Sequence, residues 1–182
     1  MRNRTRNLVL AALLAALTAA GAFLKFPLGQ MSVTLQFLFT ALAGVVLGAR
    51  WGAVSQAVYV ALGLAGLPIF TLGGGLGYVF QPSFGFLLGL IPAAWAAGAL
   101  SAGNARPGRI FAAGAAALAV LYLVGVPYMY AILDLYLGRD MPLAAVLWSG
   151  MAVYLPGDLL KLLAVSVLAP PLRRALARSR RD

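Results

Sequence analysis

The chain has no cysteine, no histidine and no glutamate, and its four acidic residues are all aspartates. Without cysteine there is no disulfide, thiolate nucleophile or sulfur ligand for a metal. Without histidine the commonest metal ligand and general base are gone. No two carboxylates share a motif that would serve acid–base work, and Asp134 and Asp140 simply flank Arg139 in a polar stretch. The chain is therefore expected to be no enzyme, to hold no metal and to use no cofactor. Charge of either sign is scarce, at 10% of residues against 63% hydrophobic, and mean hydropathy is +0.93. These values exclude an ordinary soluble domain and point to an integral membrane protein.

A span needs about 20 apolar residues, so 182 residues leave room for six short spans and no separate soluble module. Hydropathy and breaker residues place them near 8–26, 33–49, 52–65, 83–101, 109–133 and 156–176, in one membrane domain of all-α class. The first apolar run outlasts the 7–15 residues of a signal-peptide core, which favours an uncleaved helix. With six spans both termini share a side. Arg2, Arg4, Arg6, Arg50, Arg106, Arg109, Arg173, Arg174, Arg178, Arg180 and Arg181 all fall on that side, and only Lys25 and Arg139 fall near the other. The positive-inside rule then makes both termini cytoplasmic. The net charge of +10 is thus carried by anchors for anionic membrane lipid, and no nucleic-acid partner is expected.

The long connections 27–32, 66–82 and 134–155 lie on the outer side, so a binding site is expected to face outward. Within the last, residues 143–154 are apolar but too short to cross. They read either as a half-helix leading into Pro156-Gly157 or as the start of one kinked helix. Asp158 and Lys161 then stand inside an apolar stretch. The bland reading is a self-neutralising i,i+3 pair, but an intramembrane charge is by default a functional candidate. Loop 66–82 is rich in glycine and uncharged. Lacking a following Gly-Lys-Ser/Thr it is no phosphate cradle, and Tyr78, Phe80, Phe84 and Phe86 suit a lid over a small amphipathic molecule. Thr34, Gln36, Gln81, Asp158 and Lys161 supply the polar groups within reach. They favour a ligand with an amide-like or urea-like head and an apolar body. In the first span, Ala11, Ala12, Ala15, Ala16, Ala19 and Ala20 repeat at a spacing of four. Such a flat face suits a neighbouring span or a separate membrane subunit.

The runs G-L-P-I-F and G-G-G-L-G-Y-V-F-Q-P-S-F-G-F between 66 and 86, the P-G-D-L-L-K run from Pro156, Thr34-Leu35-Gln36 and the alanine-rich first span together resemble the BioY family. Its members are biotin-binding S components of energy-coupling-factor (ECF) transporters. The resemblance implies a six-helix S-component bundle in a prokaryotic plasma membrane that captures biotin from outside. It implies docking through Ala11, Ala12, Ala15, Ala16 and Ala19 on a transmembrane coupling subunit that carries two cytoplasmic ATPases. It implies Asp158 and Lys161 as ligand-binding residues and Gln81 and Tyr78 as loop contacts. Thr34, Gln36 and Phe84 complete the candidate site. An S component for thiamine or riboflavin, or a membrane assembly protein with no ligand, is the alternative.

Overall fold

A computed structural model describes residues 2–28 and 31–178. Gly29 and Gln30 of the first outer connection, and Arg180 and Arg181 of the basic tail, lie outside the described residues. The fold is a bundle of helices with one small hairpin. Helix α1 (Arg2–Phe23) is built largely of alanine and leucine, the best helix formers. Beyond it, β1 (Lys25–Leu28) pairs antiparallel with β2 (Met31–Thr34), with Lys25 opposite Thr34 and Phe26 opposite Val33. This hairpin is the one departure from the expected all-helical chain. Pro27 has no N–H to continue a helix and restricts its neighbour to extended backbone.

Helices α2 (Gln36–Leu47) and α3 (Ala49–Leu64) are separated by Gly48 alone. Its φ of +86° lies where a side chain is strained, so the chain reverses there in one residue. The two helices approach closely because Gly52 stands against Gly44, and Gly44 in turn rests on the Ala94 carbonyl of α4 (Phe84–Leu100). Small residues at such crossings are the usual packing device inside a bilayer. Fully buried polar side chains add to it. The Gln56 amide of α3 donates to Thr18 of α1 at 3.3 Å, and the Thr40 hydroxyl of α2 reaches the Gln56 carbonyl at 3.0 Å.

Helix α5 (Pro107–Ala131) opens on proline, whose missing N–H costs nothing in a first turn, and ends in a π-helical turn at Ile132–Tyr136. It packs on α4, which sits at the centre of the bundle. Ala93, Ala94 and Ala97 of α4 have no exposed surface. The last element is a single helical column: α6 (Leu143–Leu147), a π-helical turn at Trp148–Ala152, and α7 (Leu155–Arg178). Of the two readings left open for 143–154, the structure has the kinked helix. The widened turn is closed by the Val153 N–H on the Trp148 carbonyl at 3.2 Å, and just past Pro156, which has no N–H to give, the Asp158 N–H still reaches the Tyr154 carbonyl at 3.0 Å.

Three helical runs, Arg4–Phe23, Pro107–Tyr136 and Leu143–Arg178, are long and apolar enough to cross a membrane; Gln36–Leu47 and Phe84–Leu100 are apolar but shorter. Arg6 of α1 donates to the Leu176 carbonyl of α7 at 3.4 Å, so the start of the first helix meets the end of the last. At that same end Arg173 clamps three segments. Its guanidinium donates to the carbonyls of Val45, Ser101 and Asn104 and to the Ser101 hydroxyl, at 2.6 to 3.0 Å.

Candidate functional site

The start of α7 brings charge into the bundle. Asp158 stands in its first turn, where the unpaired N–H groups of a helix start favour an anion. Lys161, one turn on, shares its face. The Lys161 ammonium contacts Asp158 Oδ1 at 2.6 Å, and both residues are less than a tenth exposed. From α5, the Tyr122 hydroxyl donates to Asp158 Oδ2 at 2.5 Å. Each carboxylate oxygen thus has a donor, as a buried charge requires. Lys161 has three N–H groups and spends one on Asp158, so its ammonium can also serve a carbonyl or carboxylate brought beside it.

These residues form the floor of a cavity of about 660 Å³, counting its open mouth. Phe37 from α2, Phe86, Leu87 and Leu90 from α4, and Leu121 from α5 make its apolar walls. Val33 and Thr34 from the hairpin, Gln36 from α2, Thr71 and Ser83 from the loop, and Gly150 and Tyr154 from the kinked column complete it. The Lys25 ammonium donates to the Thr71 carbonyl and so ties the hairpin to the glycine-rich loop beside the cavity. The result is an apolar slot with a charged floor and a few neutral polar groups, suited to hold a compact amphipathic molecule. Among the described residues no group of three or more histidine, cysteine or acidic side chains is placed to hold a metal.

Five residues singled out from the sequence, Thr34, Gln36, Phe86, Asp158 and Lys161, meet in this cavity. Tyr78, Gln81 and Phe84 do not line it. Tyr78 is buried in a column of aromatic rings, 4.7 Å from Phe70 and 6.4 Å from Phe84 between centroids, and Phe84 continues the column to Tyr128 at 5.8 Å. Gln81 is exposed, and its backbone N–H turns back to the Tyr78 carbonyl. The reason is burial: Phe70, Tyr78 and Phe84 plug the top of the bundle instead of standing over an open slot, and they drag the loop with them. Gly75, at φ +97°, turns the chain so that its N–H reaches the Gly63 carbonyl at 2.7 Å. Tyr78 bears on the cavity at one remove, through a 3.1 Å hydrogen bond to the wall residue Thr71.

The alanines of α1 divide between two faces. Ala11 and Ala15 are buried against the bundle, Ala19 is half-buried, and Ala12, Ala16 and Ala20 form an exposed flat stripe. Sequence reasoning missed Tyr122, Thr71, Ser83 and Tyr154 as wall residues. Tyr122 carried a signal, a phenol in the middle of the most apolar long helix, with no partner in its own neighbourhood.

The profile of the BioY family matches residues 1–178. A protein of Lysinibacillus sphaericus named probable biotin transporter BioY is 39% identical over 178 residues, covering 97% of this chain and 91% of its own length. The biotin transporter BioY of Thermotoga maritima is 33% identical over 170 residues, covering 93% and 96%. Among solved structures, the S-component for biotin from an ECF-type ABC transporter superposes with a TM-score of 0.71 at 25% identity, over 95% of this chain and 93% of that one. By sequence and by fold together, this chain belongs to the BioY family.

Proposed function

We propose that the chain is the biotin-binding S component of an ECF-type importer in a prokaryotic plasma membrane. The observation that carries the reading is the Asp158–Lys161–Tyr122 cluster, buried yet open to a cavity between apolar walls. Biotin has a polar ureido head, an apolar ring and a carboxylate tail. Lys161 offers N–H groups to the carbonyl or carboxylate, Asp158 accepts from N–H groups, and the leucine and phenylalanine walls cover the rest. The role is capture and presentation of an unaltered ligand.

The chain crosses the membrane six times, by α1, α2, α3, α4, α5 and the α6–α7 column, with both termini cytoplasmic. Supporting this are the contact between Arg6 and the Leu176 carbonyl and the gathering of exposed arginines (Arg4, Arg50, Arg106, Arg109, Arg174 and Arg178) at that end of the bundle. The cavity, with the hairpin and the glycine-rich loop, then opens outward. The exposed stripe of Ala12, Ala16 and Ala20, with the half-buried Ala19, is the docking face for a transmembrane coupling subunit, which carries two cytoplasmic ATPases; Ala11 and Ala15, expected to dock, are turned into the bundle instead. Gln81, Tyr78 and Phe84 act on the ligand by holding the loop in place.

Titration of detergent-purified protein with biotin tests the reading. Saturable binding, lost in Asp158→Asn, is expected. Failure of well-folded wild-type protein to bind biotin, with binding of thiamine or riboflavin instead, would overturn the ligand, and a blank result with all three would overturn the S-component reading.

A further inference from the structure

Behind the cavity a line of hydrogen bonds runs in one direction only. The Gln36 backbone N–H points to the Thr34 hydroxyl at 3.4 Å, and that hydroxyl donates to Gln36 Oε1 at 2.9 Å. Gln36 Nε2 donates to the Tyr59 oxygen at 2.8 Å, and the Tyr59 hydroxyl donates to the Ile69 carbonyl of the glycine-rich loop at 3.1 Å. The last link sets all the others. A carbonyl can only accept, so the single phenolic hydrogen is spent on Ile69 and the Tyr59 oxygen must accept from its other neighbour. Of the two ends of the Gln36 amide only the nitrogen can donate, so the amide has one orientation. Tyr59 has no exposed surface and does not line the cavity, whereas Thr34, on the oxygen side, is part of the wall.

We infer that Tyr59 is a positioning residue for ligand recognition: it turns the Gln36 amide so that its carbonyl oxygen serves the cavity, which makes this wall selective for a ligand N–H. The inference rests on the biotin-binding reading and deepens it. The cavity then has two unlike polar ends, a neutral acceptor at Gln36 and the Asp158–Lys161 pair, whose ammonium is the donor. A ligand presenting N–H at one place and a carbonyl or carboxylate at another satisfies both, whereas a ligand with acceptors alone leaves Gln36 Oε1 facing a lone pair. Tyr59 also couples this choice to the loop, since the orientation holds only while the Ile69 carbonyl is in place. The ring itself is held by Phe70, edge to face at 5.5 Å, so loss of the hydroxyl alone leaves the packing intact.

The test compares biotin with its two mono-N-methyl derivatives on wild type, Tyr59→Phe and Gln36→Met. Methylation removes one N–H, and its steric cost is common to all three proteins and cancels in the ratio of Kd values. In wild type, methylation of the N–H that meets Gln36 is expected to cost about tenfold through that hydrogen bond, while the other N–H is free to meet Asp158. In Tyr59→Phe the amide is free to turn its nitrogen outward, and the ratio of the two derivatives' Kd values is expected to shift by about tenfold from the wild-type ratio. Gln36→Met, which leaves Tyr59 untouched, is expected to shift it in the same sense and supplies the answer if Tyr59→Phe does not fold. A ratio unchanged in the folded variants overturns the inference alone. No biotin binding by wild type overturns the ligand reading, and the inference with it.

Discussion

Replacing Lys161 with methionine keeps the length of the stem and removes the ammonium that faces Asp158 Oδ1 at 2.6 Å. Asp158 is 6% exposed, so its charge is left with the Tyr122 hydroxyl as its principal donor. Removing one partner of a buried pair costs about 3–5 kcal/mol. Because Asp158 keeps Tyr122, the lower end, about 3 kcal/mol, applies. At roughly 2–4 °C per kcal/mol for a chain of this size, Tm in detergent is expected to fall by about 6–12 °C. Asp158→Asn strands the lysine instead and is expected to fall by a similar amount. The double variant Asp158→Asn/Lys161→Met buries no net charge, so most of the lost Tm returns: against singles of about 3 kcal/mol each, a double costing about 1 kcal/mol is a coupling energy of about 5 kcal/mol in the cycle. Biotin binding behaves otherwise: both single variants and the double lose it, because each lacks at least one of the two ligand-facing charged groups. Thermal unfolding by intrinsic fluorescence and biotin titration of the same preparations read the two quantities separately. A double variant no more stable than the singles would refute the account of the pair as mutually compensating charges. A double variant with wild-type affinity would refute its role in the site.

The two faces of α1 give opposite expectations. Leucine at Ala12 and Ala16, on the exposed stripe, is expected to leave Tm and biotin affinity unchanged while abolishing co-purification with the coupling subunit; leucine at Ala15, buried against the bundle, overpacks the core and is expected to lower stability by about 1–3 kcal/mol. Co-purification that survives the Ala12/Ala16 change would remove the docking assignment. Arg173→Lys keeps the charge but cannot span the carbonyls of Val45, Ser101 and Asn104 at once, so Tm is expected to fall by the equivalent of about 2–3 kcal/mol with biotin Kd unaltered. A changed Kd with an unchanged Tm would show that this clamp serves the cavity at the far end rather than the bundle.

Composition and periodicity alone determined that this is a membrane protein, where its helices run, and that Asp158 and Lys161 lie on one helical face. The reason is that the bilayer allows few solutions: apolar runs must be helical, and an ionised side chain among them must find a partner. Spacing of three residues is enough to pair them. What the sequence could not supply is which side chains from distant segments complete the site. Tyr122 lies 36 residues before its partner Asp158, and Tyr59 lies 23 after Gln36; only the packing of α5 on α7 and of α3 on α2 brings them together. The glycine-rich loop makes the same point. Its aromatic residues suggested a lid by chemistry alone, but burial decided where each ring went, leaving Tyr78 and Phe84 in the core and Thr71 and Ser83 on the cavity wall. The alanine repeat of α1 was equally legible as a flat surface, yet only the rotation of that helix against α2 and α3 decided that Ala11 and Ala15 face in while Ala12 and Ala16 face out. Local sequence sets helices and pairs close in the chain, because those follow from backbone geometry; long-range partners follow from how rigid helices close-pack, which no single segment encodes.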